Sequence, residues 1–173
     1  VIGGQPVHIK ILADLYKNGH IRIKLDGGAT FTLKLRIPAW STTFRVKLDG
    51  ADQNGTTDNG YFLLSRTWEQ STIDVYVDDG VKIHRLNGKF AFTKGPFVLA
   101  ADKRLEPDLA RPRRLKTQKS GLKAKKIVNT AFHSNIALEI PLAEGKLSVC
   151  DYAEAGKNYD EENSGVSVWF PER

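Results

Sequence analysis

FTLKLRIPAW, residues 31–40, alternates Phe31, Leu33, Leu35 and Ile37 with Thr32, Lys34 and Arg36, then closes on Pro38 and Trp40. Successive side chains of a β-strand point to opposite faces. The pattern therefore predicts a strand with its four apolar residues on a core and its polar residues in water. Pro38 ends the ladder because it has no N–H to give. Trp40 then stands at the strand's end, where a large ring caps a sandwich edge or presses on a neighbour. Burying such a ring contributes roughly 2–4 kcal/mol.

The same alternation recurs outward from this stretch. VHIKIL (7–12), HIRIKLD (20–26), FRVKLDG (44–50), YFLLSRTW (61–68), TIDVYVD (72–78), VKIHRL (81–86), FAFTKGPFVLAA (90–101), IALEIPL (136–142), KLSVCDY (146–152) and GVSVWF (165–170) all read as strands. Gly-containing turn signals separate them, among them Asn54-Gly55, Asn59-Gly60 and Asn87-Gly88. No window holds a helical period. The expected fold is all-β, an antiparallel, jelly-roll-like β-sandwich of about ten to twelve short strands.

Hydrophobic residues make up 40% of the 173 and charged residues 27%, enough for a packed core and too apolar for global disorder. The longest apolar runs fall far short of a membrane span. VIGGQPVHIK at the start has no Met, basic n-region or apolar h-region, which suggests a processed chain or one cut from something longer. The single cysteine, Cys150, excludes an internal disulfide and reads as a small buried thiol.

The net charge of +6 is unevenly placed. Residues 103–126 hold ten Lys or Arg against Glu106 and Asp108, and the acidic excess gathers in 151–163. With Pro107 and Pro112 and no clear period, 103–126 reads as a long basic loop between strands. Either 1–173 forms one sandwich, or 1–102 forms its main part and 127–173 supplies completing strands. Arg111, Arg113, Arg114, Lys116, Lys123, Lys125 and Lys126 form a basic patch that would attract polyanions. Single-strand nucleic-acid binders interleave aromatics with such charges. None occurs between Lys103 and Lys126, so a solvated loop, or one packed on an acidic neighbour, is the simpler reading.

No catalytic constellation stands out. Asp78 with Asp79, and Glu161 with Glu162, are adjacent acids in predicted turns and read as solubilising. His8, His20, His84 and His133 are scattered singly without metal-ligand spacing. Ser65, Ser148 and Ser167 lack a nucleophile elbow. No cofactor or metal is expected. Carbohydrate-binding modules stack exposed rings on sugars, and Trp40, Tyr61, Trp68 and Trp169 are the rings placed at strand ends. Large rings there more often plug a sandwich than hold a ligand.

FTLKLRIPAW, VKLDG, NGYFLLSRTW and FAFTKGPFVLAAD, in this order and spacing, resemble the C-terminal β-sandwich region of glycoside hydrolase family 127, the β-L-arabinofuranosidase-like proteins. The matching residues are Phe31, Leu33, Leu35, Arg36, Ile37, Pro38 and Trp40; Gly60, Tyr61, Arg66 and Trp68; and Gly95, Pro96, Val98 and Ala100. LSVCDYAEAG and VSVWFP resemble the family's last strands. Asp49-Gly50 stands where the family prefers Asn-Gly, Lys94 replaces the usual Arg, and 103–126 has no counterpart.

The resemblance implies a non-catalytic sandwich that supports a catalytic (α/α)6 barrel placed upstream. The family's cysteine nucleophile and glutamate acid/base belong to that barrel, so Cys150 does not inherit the role and no catalytic residue carries over. Trp40, Tyr61, Trp68, Arg36, Arg66 and Trp169 become candidates for a domain interface or a carbohydrate contact. The partners implied are the chain's own upstream catalytic domain, a plant- or glycan-derived oligosaccharide and a second copy in a homodimer, in a secreted or periplasmic setting. Nucleic acid and membrane are not expected partners. An independent carbohydrate-binding module and a polyanion binder acting through 103–126 are the alternatives.

Overall fold

A computed structural model describes residues 1–78, 80–116, 122–128, 131–157 and 164–173. The described elements are all strands, and the named pairs are all antiparallel. The chain divides into two compact units, Val1–Asp79 and Gly80–Arg173. The basic segment lies inside the second.

The first unit is a sandwich of two sheets. One sheet holds β1 (Val7–Asp14), β2 (His20–Gly27), β8 (Ser71–Val77), β4 (Phe44–Leu48) and β5 (Ala51–Asp52), neighbours in that order. The other holds β3 (Ala29–Arg36), β7 (Tyr61–Trp68) and β6 (Thr56–Asp58). The alternation in 31–37 survives intact. Leu35 is buried and Phe31, Leu33 and Ile37 are half-buried against the core, while Thr32, Lys34 and Arg36 are exposed. Ile23, Leu25, Val46, Leu48, Ile73, Val75 and Val77 of the larger sheet meet Leu35, Phe62, Leu64 and Trp68 of the smaller.

Trp68 closes this seam. Its ring has no accessible surface, and the indole N–H donates to the Phe31 carbonyl at 2.9 Å. A buried indole needs such a partner, because desolvating an unpaired N–H costs about 1–3 kcal/mol. Phe31 packs beside it, ring centroids 5.7 Å apart.

The turns follow the residues that demanded them. Asp49-Gly50, Asn59-Gly60 and Asn87-Gly88 all take positive φ at both positions. They join directly paired strand ends, Leu48 to Ala51, Asp58 to Tyr61 and Leu86 to Lys89, as two-residue type I′ hairpins require. Gly55 serves differently, since a methyl group there would overlap the buried Phe62 ring.

The second unit is built on one sheet, ordered β12 (Lys125–Lys126), β13 (Ala137–Pro141), β14 (Lys146–Asp151), β11 (Phe97–Asp102), β10 (Lys89–Lys94) and β16 (Phe170–Pro171). In addition, β9 (Val81–Leu86) pairs with β10 and β15 (Val166–Ser167) with β11. Phe90, Phe92 and Phe170 form an aromatic cluster with centroids 5.4–6.2 Å apart. Leu99, Ile136, Ile140, Leu147 and Val149 are buried with them in the same unit.

Two expectations change here. FAFTKGPFVLAA is two strands, β10 and β11, folded back so that Lys94 faces Phe97. Gly95 turns the chain with φ of 53°, and Pro96 has no N–H to carry the ladder onward. GVSVWF likewise splits, β15 pairing with β11 and β16 with β10. The Ser167 hydroxyl donates to the Trp169 carbonyl within the intervening bend. These divisions, together with the short strands β5, β6 and β12, explain why sixteen strands appear among the described residues, against ten to twelve expected.

Trp68→Phe should lower stability by about 2 kcal/mol, because it strands the Phe31 carbonyl and opens a void. Equilibrium urea unfolding measures this, and a loss within experimental error would contradict the role given to Trp68.

Candidate functional site

The candidate residues of the first unit do not converge. Arg36 and Tyr61 are direct cross-strand neighbours on the outward face of β3 and β7; Arg36 is exposed and Tyr61 is 36% exposed. Arg66 lies near the other end of β7, donating to the Thr67 carbonyl and sitting 5.7 Å from the Trp68 ring. Five residues of strand separate it from Tyr61, about 17 Å. Trp68 is a core residue and offers no face to a ligand or a neighbouring domain. Trp40 is half-buried against the core of its own unit. Between Arg36 and Trp68 the outward face carries hydroxyl pairs, Thr30 with Thr67 at 2.7 Å and Thr32 with Ser65 at 2.6 Å.

The outer face of the larger sheet holds a constellation the sequence reading missed. Arg22 lies opposite Asp74, and His20 opposite Tyr76. The Arg22 Nε–H donates to Asp74 Oδ1 at 2.7 Å, and His20 Nε2 lies 2.7 Å from the same oxygen. His20 and Tyr76 stack with centroids 4.8 Å apart. Hydrogen bonds from Arg22 hold the Asp74 carboxyl below its ordinary range, against burial and with help from His20. A shallow depression of about 310 Å³ opens beside it, lined by Leu12, Asp14, Asn18, His20 and Arg22. The outward positions of HIRIKLD and TIDVYVD were visible in the sequence, but strand register across fifty residues was not. With its oxygens already accepting from Arg22 and His20, Asp74 ties β2 to β8.

In the second unit the basic patch comes apart. Arg113 is buried, with donors aimed at the Arg111 and Asp108 carbonyls and at Glu106. It also lies 5.8 Å from the Phe170 ring. It is a structural pin and cannot reach a polyanion. Arg111, Arg114, Lys116, Lys123, Lys125 and Lys126 are exposed. Of these, Arg114 approaches Glu144 at 3.7 Å, and Lys125 and Lys126 form edge strand β12 beside β13. Lysines on an edge strand guard it against unwanted pairing. Trp169 is 39% exposed beside Leu86, Asn87 and Lys89.

Two buried ionisable groups sit close in this unit. Asp102 accepts from the Arg104 Nε–H at 2.8 Å and its Nη2–H at 2.6 Å, and from the Arg104 and Gly156 backbone N–H groups, each at 2.9 Å. Burial pushes its carboxyl up, but these bonds outweigh it and hold the group down at about 2. Cys150 is fully buried; burial, then the nearby Asp151 and Asp102 charges, push its thiol up to about 12. A nucleophilic cysteine needs the opposite shift.

Asp78 accepts from the Thr42 hydroxyl at 2.6 Å; Asp79, Glu161 and Glu162 lie outside the described residues. No group of three His, Cys, Asp or Glu able to hold a metal occurs among the described residues.

Every described element of the chain is a β-strand. The family model described as "Beta-L-arabinofuranosidase, GH127 middle domain" matches residues 2–78. No curated protein matches the chain. Its fold is similar to that of a GH127 β-L-arabinofuranosidase from Geobacillus stearothermophilus T6, at 21% identity and a TM-score of 0.76, over 99% of this chain and 31% of that one. It is likewise similar to a protein described as a glycoside hydrolase, at 17% identity and TM-score 0.73, over 96% of this chain and 32% of that one. A GH127 β-arabinofuranosidase gives 20% identity and TM-score 0.71, over 98% of this chain and 32% of that one. The chain thus spans about a third of the length of these structures.

Two outcomes test these assignments. Trp40→Ala should cost more than about 1 kcal/mol of stability; an unchanged melting curve would instead make Trp40 a contact for something outside this chain. Asp102 ionises more readily folded, at about 2, than at its ordinary 3.8. It therefore contributes stability above pH 3.8, on the order of 2 kcal/mol, that is lost as pH falls from 3.8 towards 2. Asp102→Asn should lower stability at neutral pH and flatten the loss across that window. An equally steep acid limb in the variant would rule the assignment out.

Proposed function

We propose that this chain is a non-catalytic β-sheet portion of a larger glycoside hydrolase of the GH127 β-L-arabinofuranosidase type. In this reading, 2–78 corresponds to the middle domain and Gly80–Arg173 to the C-terminal β-sandwich beyond it. Together they buttress a catalytic (α/α)6 barrel supplied by the same polypeptide and shape one rim of its cleft. The observation that carries the reading is the family-model match over 2–78. Fold similarity across nearly the whole chain to hydrolases three times its length supports it.

The residues agree chemically. Cys150 is buried and held as a thiol, and the buried carboxylates Asp74 and Asp102 are engaged by arginines. The substrate class, an oligosaccharide with terminal β-L-arabinofuranose, attaches to the parent enzyme through the resemblance. An exposed Arg36–Tyr61 pair and the exposed edge of Trp169 are the surfaces through which this chain would meet the barrel or the substrate.

Incubated alone with a chromogenic β-L-arabinofuranoside, the chain should release no more product than a buffer blank. Mixed with the separately produced barrel of its parent polypeptide, it should raise that barrel's melting temperature. Turnover by the chain alone would overturn the non-catalytic reading, and an unmoved barrel would overturn the buttressing one.

A further inference from the structure

On the outer face of the larger sheet Arg22 is committed to Asp74, but the cations one row away are not. β1 and β2 set Lys10 directly opposite Lys24, and β2 and β8 set Lys24 opposite Thr72. In the next row His8 lies opposite Asp26. Leu25 points into the core, so its neighbours Lys24 and Asp26 point outward, and cross-strand partners share that face. Lys10, Lys24 and Asp26 are exposed, and none makes a side-chain hydrogen bond or ion pair among the described residues. Like charges directly opposed across a sheet, with Cβ atoms about 5 Å apart, are destabilising. An anion placed between the two ammonium groups would turn that repulsion into attraction.

The same residues wall one depression. It measures about 440 Å³ and is lined on its polar side by His8, Lys10, Lys24, Asp26, Gln70 and Thr72. Small-molecule sites span roughly 300–1,000 Å³, so the space suits a ligand larger than a single inorganic ion. None of these residues lines the depression beside His20 and Arg22.

We propose that this depression binds an acidic saccharide, with a uronate carboxylate held between Lys10 and Lys24 and the sugar hydroxyls met by Asp26, Gln70 and Thr72. Charge complementarity selects an anion, and Asp26 selects among anions. A densely charged phosphate or sulfate group would set its charge beside that carboxylate, and like-charge juxtaposition is costly. A uronate carries one charge on each ring and surrounds it with hydroxyls. An ionised carboxylate can only accept hydrogen bonds, whereas Gln70 and Thr72 both donate and accept, a set that matches hydroxyl groups. The inference concerns binding by this chain alone and stands independently of the hydrolase reading.

Isothermal titration calorimetry of the chain with trigalacturonate at low ionic strength should show saturable binding at one site that weakens as salt is added. The fully methyl-esterified trisaccharide keeps the same backbone without the charge and should bind at least about tenfold more weakly. Lys10→Gln and Lys24→Gln should each weaken trigalacturonate binding about tenfold. Their melting curves should be unchanged, since both side chains are exposed. Lys34→Gln, which removes an exposed cation from the other sheet, should leave binding as it was. Asp26→Asn keeps the lysine pair and removes the opposing charge, so it should raise affinity for inorganic pyrophosphate, which the unaltered chain should bind more weakly than trigalacturonate. Absence of trigalacturonate binding, equal binding of the methyl ester, tighter binding of pyrophosphate by the unaltered chain, or an equal effect of Lys34→Gln would each overturn the proposal.

Discussion

The indole N–H of Trp68 bonded to the Phe31 carbonyl is the contact on which the first unit rests. A two-sheet sandwich needs large apolar side chains from both inner faces to meet without leaving a polar atom dry. Trp68 supplies the largest buried ring and brings the one donor that could have been orphaned to a backbone acceptor two strand positions away on β3. Ile73, Val46 and Leu25 can then pack from the other sheet as purely apolar neighbours. Everything on the outer faces, from the hydroxyl pairs of β3 and β7 to the Arg22–Asp74–His20 set, decorates strands whose register this seam holds in place.

The second unit meets a different constraint, the burial of charge. Asp102 and Arg113 are nearly inaccessible, and an unpaired charge there would cost several kcal/mol. Asp102 is met by four N–H groups, and Arg113 by two carbonyls and a carboxylate. Such networks penalise any packing that breaks them, and so they hold the irregular segments around 102–115 to one path. Asp151 is treated less completely: one oxygen accepts from the Ile136 N–H, while the other is buried without a hydrogen-bond partner among the described residues.

How far the fold was legible depended on the range of the interaction that decides each feature. Alternation within a strand is local, and the inward and outward faces of 31–37 were readable from the residues. So were the type I′ turns, because positive φ selects Asp-Gly and Asn-Gly. The hairpin inside 90–101 was within reach, since Gly95-Pro96 is itself a turn signal, but the apolar residues on both sides of it, 90–92 and 97–101, were read together as one strand. Arg113 was counted with its cationic neighbours because charge counting cannot see which of ten cations turns inward. Asp74 and His20 were missed for a related reason. Their meeting depends on which strands become neighbours, a tertiary outcome that no window of sequence contains. The aromatic candidates show the same limit, with Trp68 lost to the core and Arg36 and Tyr61 brought together by pairing between β3 and β7.

These features describe a module whose buried charges serve its own folding. The role proposed for it, a supporting part of a larger enzyme, is tested most directly by the size of the native polypeptide. An immunoblot of source cells with an antibody raised against this chain should show a band about three times heavier than 19.3 kDa, as expected when a domain of about 170 residues belongs to a multidomain chain. A single band at 19.3 kDa would contradict the account, because no barrel would then be attached for the sandwich to support.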